Sequence, residues 1–211
     1  MTVTKKDVKA VVVLIAIAVI LSAILTILNF VLYVSPEERT MRAIKKMYGE
    51  EKEYSVILDA NQENVDAWKD AYNYGEISLI YKVQNQNDYD LLFKSKGNYG
   101  YKGGSITCWI MVKFDGTNKS IEKIIVESFD KQTLMSKVTS GFWSNMYVDV
   151  TDAYNNKEWF FANSKDSSFK NDNPSAVLNP IGNATYSATA GCNAVNCVIA
   201  CVNEFDFGGN N

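Results

Sequence analysis

The sequence predicts an α+β protein: a single N-terminal transmembrane helix followed by an extracytoplasmic antiparallel-sheet domain packed with helices. Three observations predict it. Residues Ala10 to Val34 carry no charge and are almost all Val, Ile, Leu and Ala. Three β-patterned runs occupy the middle of the chain, two of them joined through an Asp-Gly turn. A long helix-patterned run, Ser187 to Phe205, follows near the C-terminus.

Composition narrows the function classes. The chain has 211 residues, enough for one domain plus an appendage. Net charge is -3 and no Lys/Arg cluster forms a groove-tracking patch, so no nucleic-acid partner is expected. Histidine is absent. Ser-His-Asp and Cys-His catalysis are therefore excluded, together with the commonest metal ligand. No catalytic residue and no metal site is assigned.

The Ala10–Val34 run exceeds the roughly 20 residues that a helix needs to cross hydrocarbon. A cleavable signal peptide has an apolar core of about 7–15 residues, so the run reads as a retained anchor. Lys5, Lys6 and Lys9 precede it against a single Asp7, and Pro36-Glu37-Glu38-Arg39 follows. The positive-inside rule then places the N-terminus in the cytoplasm and the rest of the chain outside the cell membrane. The expected division is 1–9 cytoplasmic, 10–34 transmembrane, 35–75 juxtamembrane and helical, and 76–211 the folded domain.

From Pro36 to Tyr54 the spacing of Met41, Ile44, Met47 and Tyr48 predicts an amphipathic helix, with a break from the anchor at Ser35-Pro36. Val56 to Ala71 reads as a short helix or loop. Ile77–Val83, Ile106–Phe114 and Ile121–Phe129 read as strands. The second is apolar on both faces and so central, and the third pairs back on it across Asp115-Gly116-Thr117-Asn118. Asp130 to Val138 reads as a short helix, Trp159-Phe160-Phe161 as an apolar patch, and Asn163 to Asn179 as a surface loop. In the last helix Ala188, Cys192, Val195, Ile199 and Val202 form one stripe, expected to face the sheet. Gly97, Gly100, Gly103 and Gly104 precede a strand and lack a following Lys-Ser/Thr, so a phosphate loop is not assigned to them.

Four cysteines remain, Cys108, Cys192, Cys197 and Cys201. At about 100° per residue Cys192 and Cys201 point to opposite sides of one helix, so they do not share a metal. They read as small core residues, with a bridge from Cys108 to a helix cysteine left open.

The most informative stretch is Asn179-Pro180-Ile181-Gly182-Asn183-Ala184-Thr185-Tyr186-Ser187, running into Ala188 to Asn196. A turn ends in a hydroxyl residue at a helix start, so Asn183 or Thr185 caps the helix and a phosphate is well received there. The stretch resembles the flavin-attachment segment of the FMN-binding domain family, found in Rnf-type electron transport complexes and in sodium-pumping NADH:quinone reductases. The family pattern is roughly Asp-x-x-Ser/Thr-Gly-Ala-Thr-x-Ser/Thr, followed by a helix ending Asn-Ala-Val. Ala184, Thr185, Ser187 and Asn193-Ala194-Val195 match; Asn179, Gly182 and Asn183 stand where the family has Asp, Ser/Thr and Gly. Gly103-Gly104-Ser105-Ile106, Phe114-Asp115-Gly116 and Ile121-Glu122-Lys123-Ile124 are similar to the family's strand, turn and returning strand. The family's Glu-Thr-Pro-Gly-Leu-Gly loop corresponds to Asp130-Lys131-Gln132-Thr133-Leu134-Met135, in which Leu134 and an acidic Asp130 are kept.

The resemblance implies an electron-carrier subunit of a membrane-bound, ion-translocating redox complex rather than a stand-alone enzyme. It implies FMN joined to Thr185 as a phosphoester by a flavin transferase, bordered by Gly182, Asn183, Ala184, Ser187 and Leu134. Trp109, Trp143 and Tyr147 are candidates to tune the flavin ring. The implied partners are other integral membrane subunits. The departures from the motif imply an alternative, a flavin-free structural or assembly subunit that retains the scaffold.

Overall fold

A computed structural model describes residues 5–70, 73–85, 88–115, 118–133, 135, 161–162, 177–178, 185–205 and 207. The chain divides into two compact units, residues 1–42 and 43–211.

Helix α1, Lys5–Leu32, forms most of the first unit. Within it Val11–Phe30 is a 20-residue run with a mean hydropathy of 3.2. It is long and apolar enough to cross a membrane. Helix α2, Pro36–Tyr48, starts after the expected break. Ser35 caps it: its Oγ accepts the Glu38 N–H at 3.1 Å and its carbonyl accepts the Arg39 N–H at 3.0 Å. Pro36 at the first helical position has no N–H to leave unpaired. The helix ends short of Tyr54 because Gly49, at φ 81°, turns the chain while its N–H bonds the Lys45 carbonyl.

The second unit is built on an antiparallel sheet of six strands: β1 Tyr54–Asp59, β2 Trp68–Lys69, β3 Gly75–Asn85, β4 Asp88–Gly97, β5 Ile106–Asp115 and β6 Asn118–Phe129. The order is β1-β3-β4-β5-β6, with β2 also paired to β3. The last helix, α3, runs Thr185–Glu204. A separate parallel pair is formed by β7 Phe161–Ala162 and β8 Val177–Leu178, with β7 lying against α3.

The hairpin of β5 and β6 is as expected, with Asp115 opposite Asn118, and β5 is an inner strand. Two expectations change. The stretch 56–71, expected as a short helix or loop, instead contributes to β1 and β2 of the sheet within its described residues 56–70. Of residues 130–138, expected as a short helix, 130–133 form a bend and Met135 lies in a 3-10 turn; Leu134 and residues 136–138 lie outside the described residues.

Period-two alternation divides the sheet's side chains between two layers. Leu91, Phe93, Ile106, Cys108, Ile110, Val112 and Phe114 face α3. Leu79, Tyr81, Val83, Leu92, Trp109 and Ile125 form the other layer with Ala43, Ile44 and Met47 of α2. Lys123 fixes the end of α2, its Nζ donating to the carbonyls of Lys46 at 3.0 Å and Met47 at 2.9 Å. A cation at that end also complements the helix dipole.

The docking of α3 depends on two strand glycines. Gly75 and Gly97 are paired across β3 and β4. A Cβ on Gly97 would stand 1.8 Å from the Ala190 carbonyl oxygen and 2.3 Å from the Ala194 nitrogen, and one on Gly75 would stand 2.8 Å from the Cys197 Cβ. Ser95 Oγ donates to the Ala194 carbonyl at 2.7 Å, and Asn193 Nδ2 to the Asn98 carbonyl at 3.0 Å. The helix backbone therefore rests on bare sheet backbone along Ala190, Ala194 and Cys197. This corrects the expected orientation. Ala188, Cys192, Val195, Ile199 and Val202 are all buried, but they lie roughly 150° around the axis from that line. A helix apolar around most of its circumference is buried on both sides, so a stripe does not reveal which side meets the sheet.

Candidate functional site

Three segments meet at the N-terminal end of α3: the turn after β4, the bend after β6 and the first helical turn itself. Gln132 joins them. Its Oε1 accepts the Tyr101 N–H at 3.1 Å and the Ser187 hydroxyl at 2.8 Å, and its Nε2 donates to the Asp130 carbonyl at 2.7 Å. Gln132 and Ser187 are both buried, so these bonds satisfy groups that would otherwise be left dry and unpaired. Gly100 and Gly104 make room for the amide: a Cβ on either would stand 2.4 Å and 2.7 Å, respectively, from Nε2.

The glycine-rich turn has no free cradle of donors. The Gly100 N–H bonds the Gly104 carbonyl, the Gly103 N–H that of Gly100, and the Gly104 N–H that of Tyr101. With the Tyr101 N–H given to Gln132, these donors are used internally. Gly100 and Gly104 thus serve the hub. Tyr99 at φ 63°, Lys102 at 52° and Lys131 at 56° are left-handed non-glycine residues in the same two segments. Such strain persists only where surrounding contacts hold it.

Aromatic rings border the hub. Tyr186 is 57 % exposed beside the helix start, and its ring lies 6.3 Å from that of Tyr101. Tyr99, also exposed, meets Tyr74 edge-on at 5.8 Å. Trp109 lies in the opposite layer of the sheet, stacked 6.2 Å from Tyr81. It is a core residue of the α2 side, remote from the α3 layer, and is withdrawn as a flavin-tuning candidate. Trp143 and Tyr147 lie outside the described residues.

Of the expected site residues, Thr185 is the first residue of α3 and Ser187 is held by Gln132. Gly182, Asn183, Ala184 and Leu134 lie outside the described residues, as does the Thr185 side chain. The two stretches that the resemblance associates with flavin, 130–135 and 179–187, are joined by the Ser187–Gln132 bond. Gln132, Tyr101 and Tyr186 were not singled out from sequence. A lone Gln in a turn carries no motif, and Tyr186 occupies the variable position between Thr185 and Ser187.

The local chemistry suits a phosphate at Thr185. α3 has no acidic residue in its first turn, and its leading N–H groups have no partners within the helix. Metal chemistry has no comparable support: among the described residues no three His, Cys, Asp or Glu side chains gather. None of the four cysteines is in a disulfide, and all four are buried. Burial, with the nearby charge of Glu127, pushes the Cys108 thiol up to about 12, and burial with Glu204 does the same for Cys201. Burial and the Asp70 carboxylate raise Cys197 as well. None of these three is a poised thiolate. A groove of about 340 Å³ lined by Glu53, Tyr54, Ser55, Lys82 and Gln84 lies at the β1 edge, open and without converging catalytic groups. No protein-family model, curated protein or solved structure matches this chain.

Proposed function

We propose that this chain is an electron-carrier subunit of a membrane-bound, ion-translocating redox complex, with FMN attached to Thr185 on a domain outside the cytoplasm. The observation that carries the reading is the Ser187–Gln132 bond of 2.8 Å. It joins the two segments that the family resemblance assigns to the flavin, at the start of a helix led by Thr185. When bound, the flavin supplies the redox chemistry. The first-turn N–H groups of α3 would hold the phosphate. The Gln132 hub fixes that turn against the sheet, and the exposed Tyr186 ring with its neighbour Tyr101 offers an apolar border. No proton donor or nucleophile is required of the protein, in keeping with a chain that has no histidine. α1 would anchor the domain beside polytopic partner subunits.

The second reading is a flavin-free assembly subunit on the same scaffold. It is favoured by Asn179, Gly182 and Asn183 in place of the family's motif residues, which a flavin transferase would have to accept. Co-expression with a flavin transferase, followed by denaturing electrophoresis, separates the two. The carrier reading expects a fluorescent band at the position of this chain, absent in Thr185→Ala. A dark band, with no flavin released from the native protein either, favours the assembly subunit.

A further inference from the structure

Within the Val11–Phe30 run of α1 the polar side chains are not scattered around the helix. Ser22, Thr26 and Asn29 fall within about 60° of one another when projected down its axis, and all three are exposed on the helix surface. The far side carries Ile20, Ile24 and Ile27, exposed as well. Thr26 returns its hydroxyl to the Ser22 carbonyl at 2.8 Å. The helix backbone can satisfy a hydroxyl in this way. It cannot satisfy a carboxamide, which has two donors and an acceptor with its lone pairs. In hydrocarbon, Asn29 gains from a partner on another helix, and the small Ser22 and Thr26 let a second backbone approach closely.

We propose that α1 pairs in the membrane with α1 of a second copy of this chain, in parallel, through the face carrying Ser22, Thr26 and Asn29. The pairing rests on α1 crossing the membrane and is independent of the flavin. The same flanking charges orient every copy, so two copies insert the same way round. A parallel pair sets Asn29 opposite Asn29 at one depth, where each carboxamide donates to the other and accepts from it. A helix of different sequence would need a matching polar group at that depth; a second copy has one by construction.

The test uses the full chain in membranes, with cysteines introduced one at a time. Ser22→Cys and Thr26→Cys sample the proposed face, and Ile24→Cys and Ile27→Cys the opposite one. The four native thiols are buried and serve as a background measured on the parent. Under mild oxidation the first pair is expected to give disulfide-linked dimers of this chain in at least about threefold higher yield than the second. Adding Asn29→Leu to Ser22→Cys is expected to lower that yield about threefold, the size of a typical interhelical hydrogen bond in a membrane. Equal yields on both faces, in a chain that resists alkaline extraction, overturn the pairing and leave the span intact. Adducts containing a different protein overturn the second copy as the partner. Release of the chain by alkaline extraction overturns the span and the pairing together.

Discussion

Asp90 shows how one residue sets a pH dependence. It is buried on β4 and accepts a hydrogen bond from Asn85 Nδ2 at 3.1 Å. Burial raises its carboxyl above the ordinary range, with Glu122 adding to the rise; Tyr48, Asn85 and Lys113 oppose it without cancelling it. The neighbouring Tyr48 hydroxyl is buried, pushed upward by burial and by the Asp90 charge, and has no hydrogen bond of good geometry. A raised carboxyl favours folding while protonated, and that contribution is lost as pH rises through the raised value. Asp90→Asn keeps an acceptor for Asn85 and removes the titration. Its stability relative to the parent should therefore increase from acidic to neutral pH, read from urea midpoints at several pH values; a constant difference would contradict it. Gly97 makes a steric prediction at the same scale. Gly97→Ala places a methyl on the Ala190 and Ala194 backbone of α3 and should cost about 3 kcal/mol or more. Gly103→Ala, where nothing lies within 4 Å of the added Cβ, should cost only about 1 kcal/mol for its positive φ. Equal losses at the two positions would show that α3 does not rest on Gly97.

At the scale of elements, periodicity revealed the long, uniform pieces and missed those defined by their neighbours. α1, the Pro36 start of α2, the β5–β6 hairpin and α3 were legible because each carries a long apolar pattern or a strong turn signal. β1 was not, because Tyr54-Ser55-Val56-Ile57-Leu58-Asp59 lacks alternation and is bulged between Val56 and Leu58. β2 is a two-residue pairing that only β3 defines. β4 was hidden by Asp88, Asp90, Lys94 and Lys96; the two lysines pair with Glu127 and Glu76 and carry long apolar stems, which suits a strand covered unevenly on its two faces. The candidate site was legible at Thr185 and Ser187, through the turn-to-helix pattern. Gln132 was not, because its role comes from tertiary contacts that no local pattern encodes. The sides of α3 were misassigned because small residues, rather than large ones, mark the side in closest contact with glycine-bearing strands. The cysteines on that helix yield an element-level prediction. All four should resist a thiol reagent in the native protein and react together on unfolding, since all four are buried and burial raises the thiols of Cys108, Cys197 and Cys201. Reaction of even one at native rates comparable to a free thiol would mean that α3 opens readily.

For the whole molecule, a helix suited to spanning a membrane is joined to a sheet domain whose candidate site lies at the start of α3. The positive flank of Lys5, Lys6 and Lys9 predicts that a C-terminal reporter requiring export is active and one requiring the cytoplasm is silent; the reverse pattern would overturn the orientation. The central claim concerns the flavin. Intact-mass measurement of the full chain, purified after co-expression with a flavin transferase, tests it most directly. The predicted result is a mass above that of the polypeptide by one FMN less one water, with the addition mapped to Thr185 and lost in Thr185→Ala. An unmodified mass from protein that also retains no flavin non-covalently would contradict it.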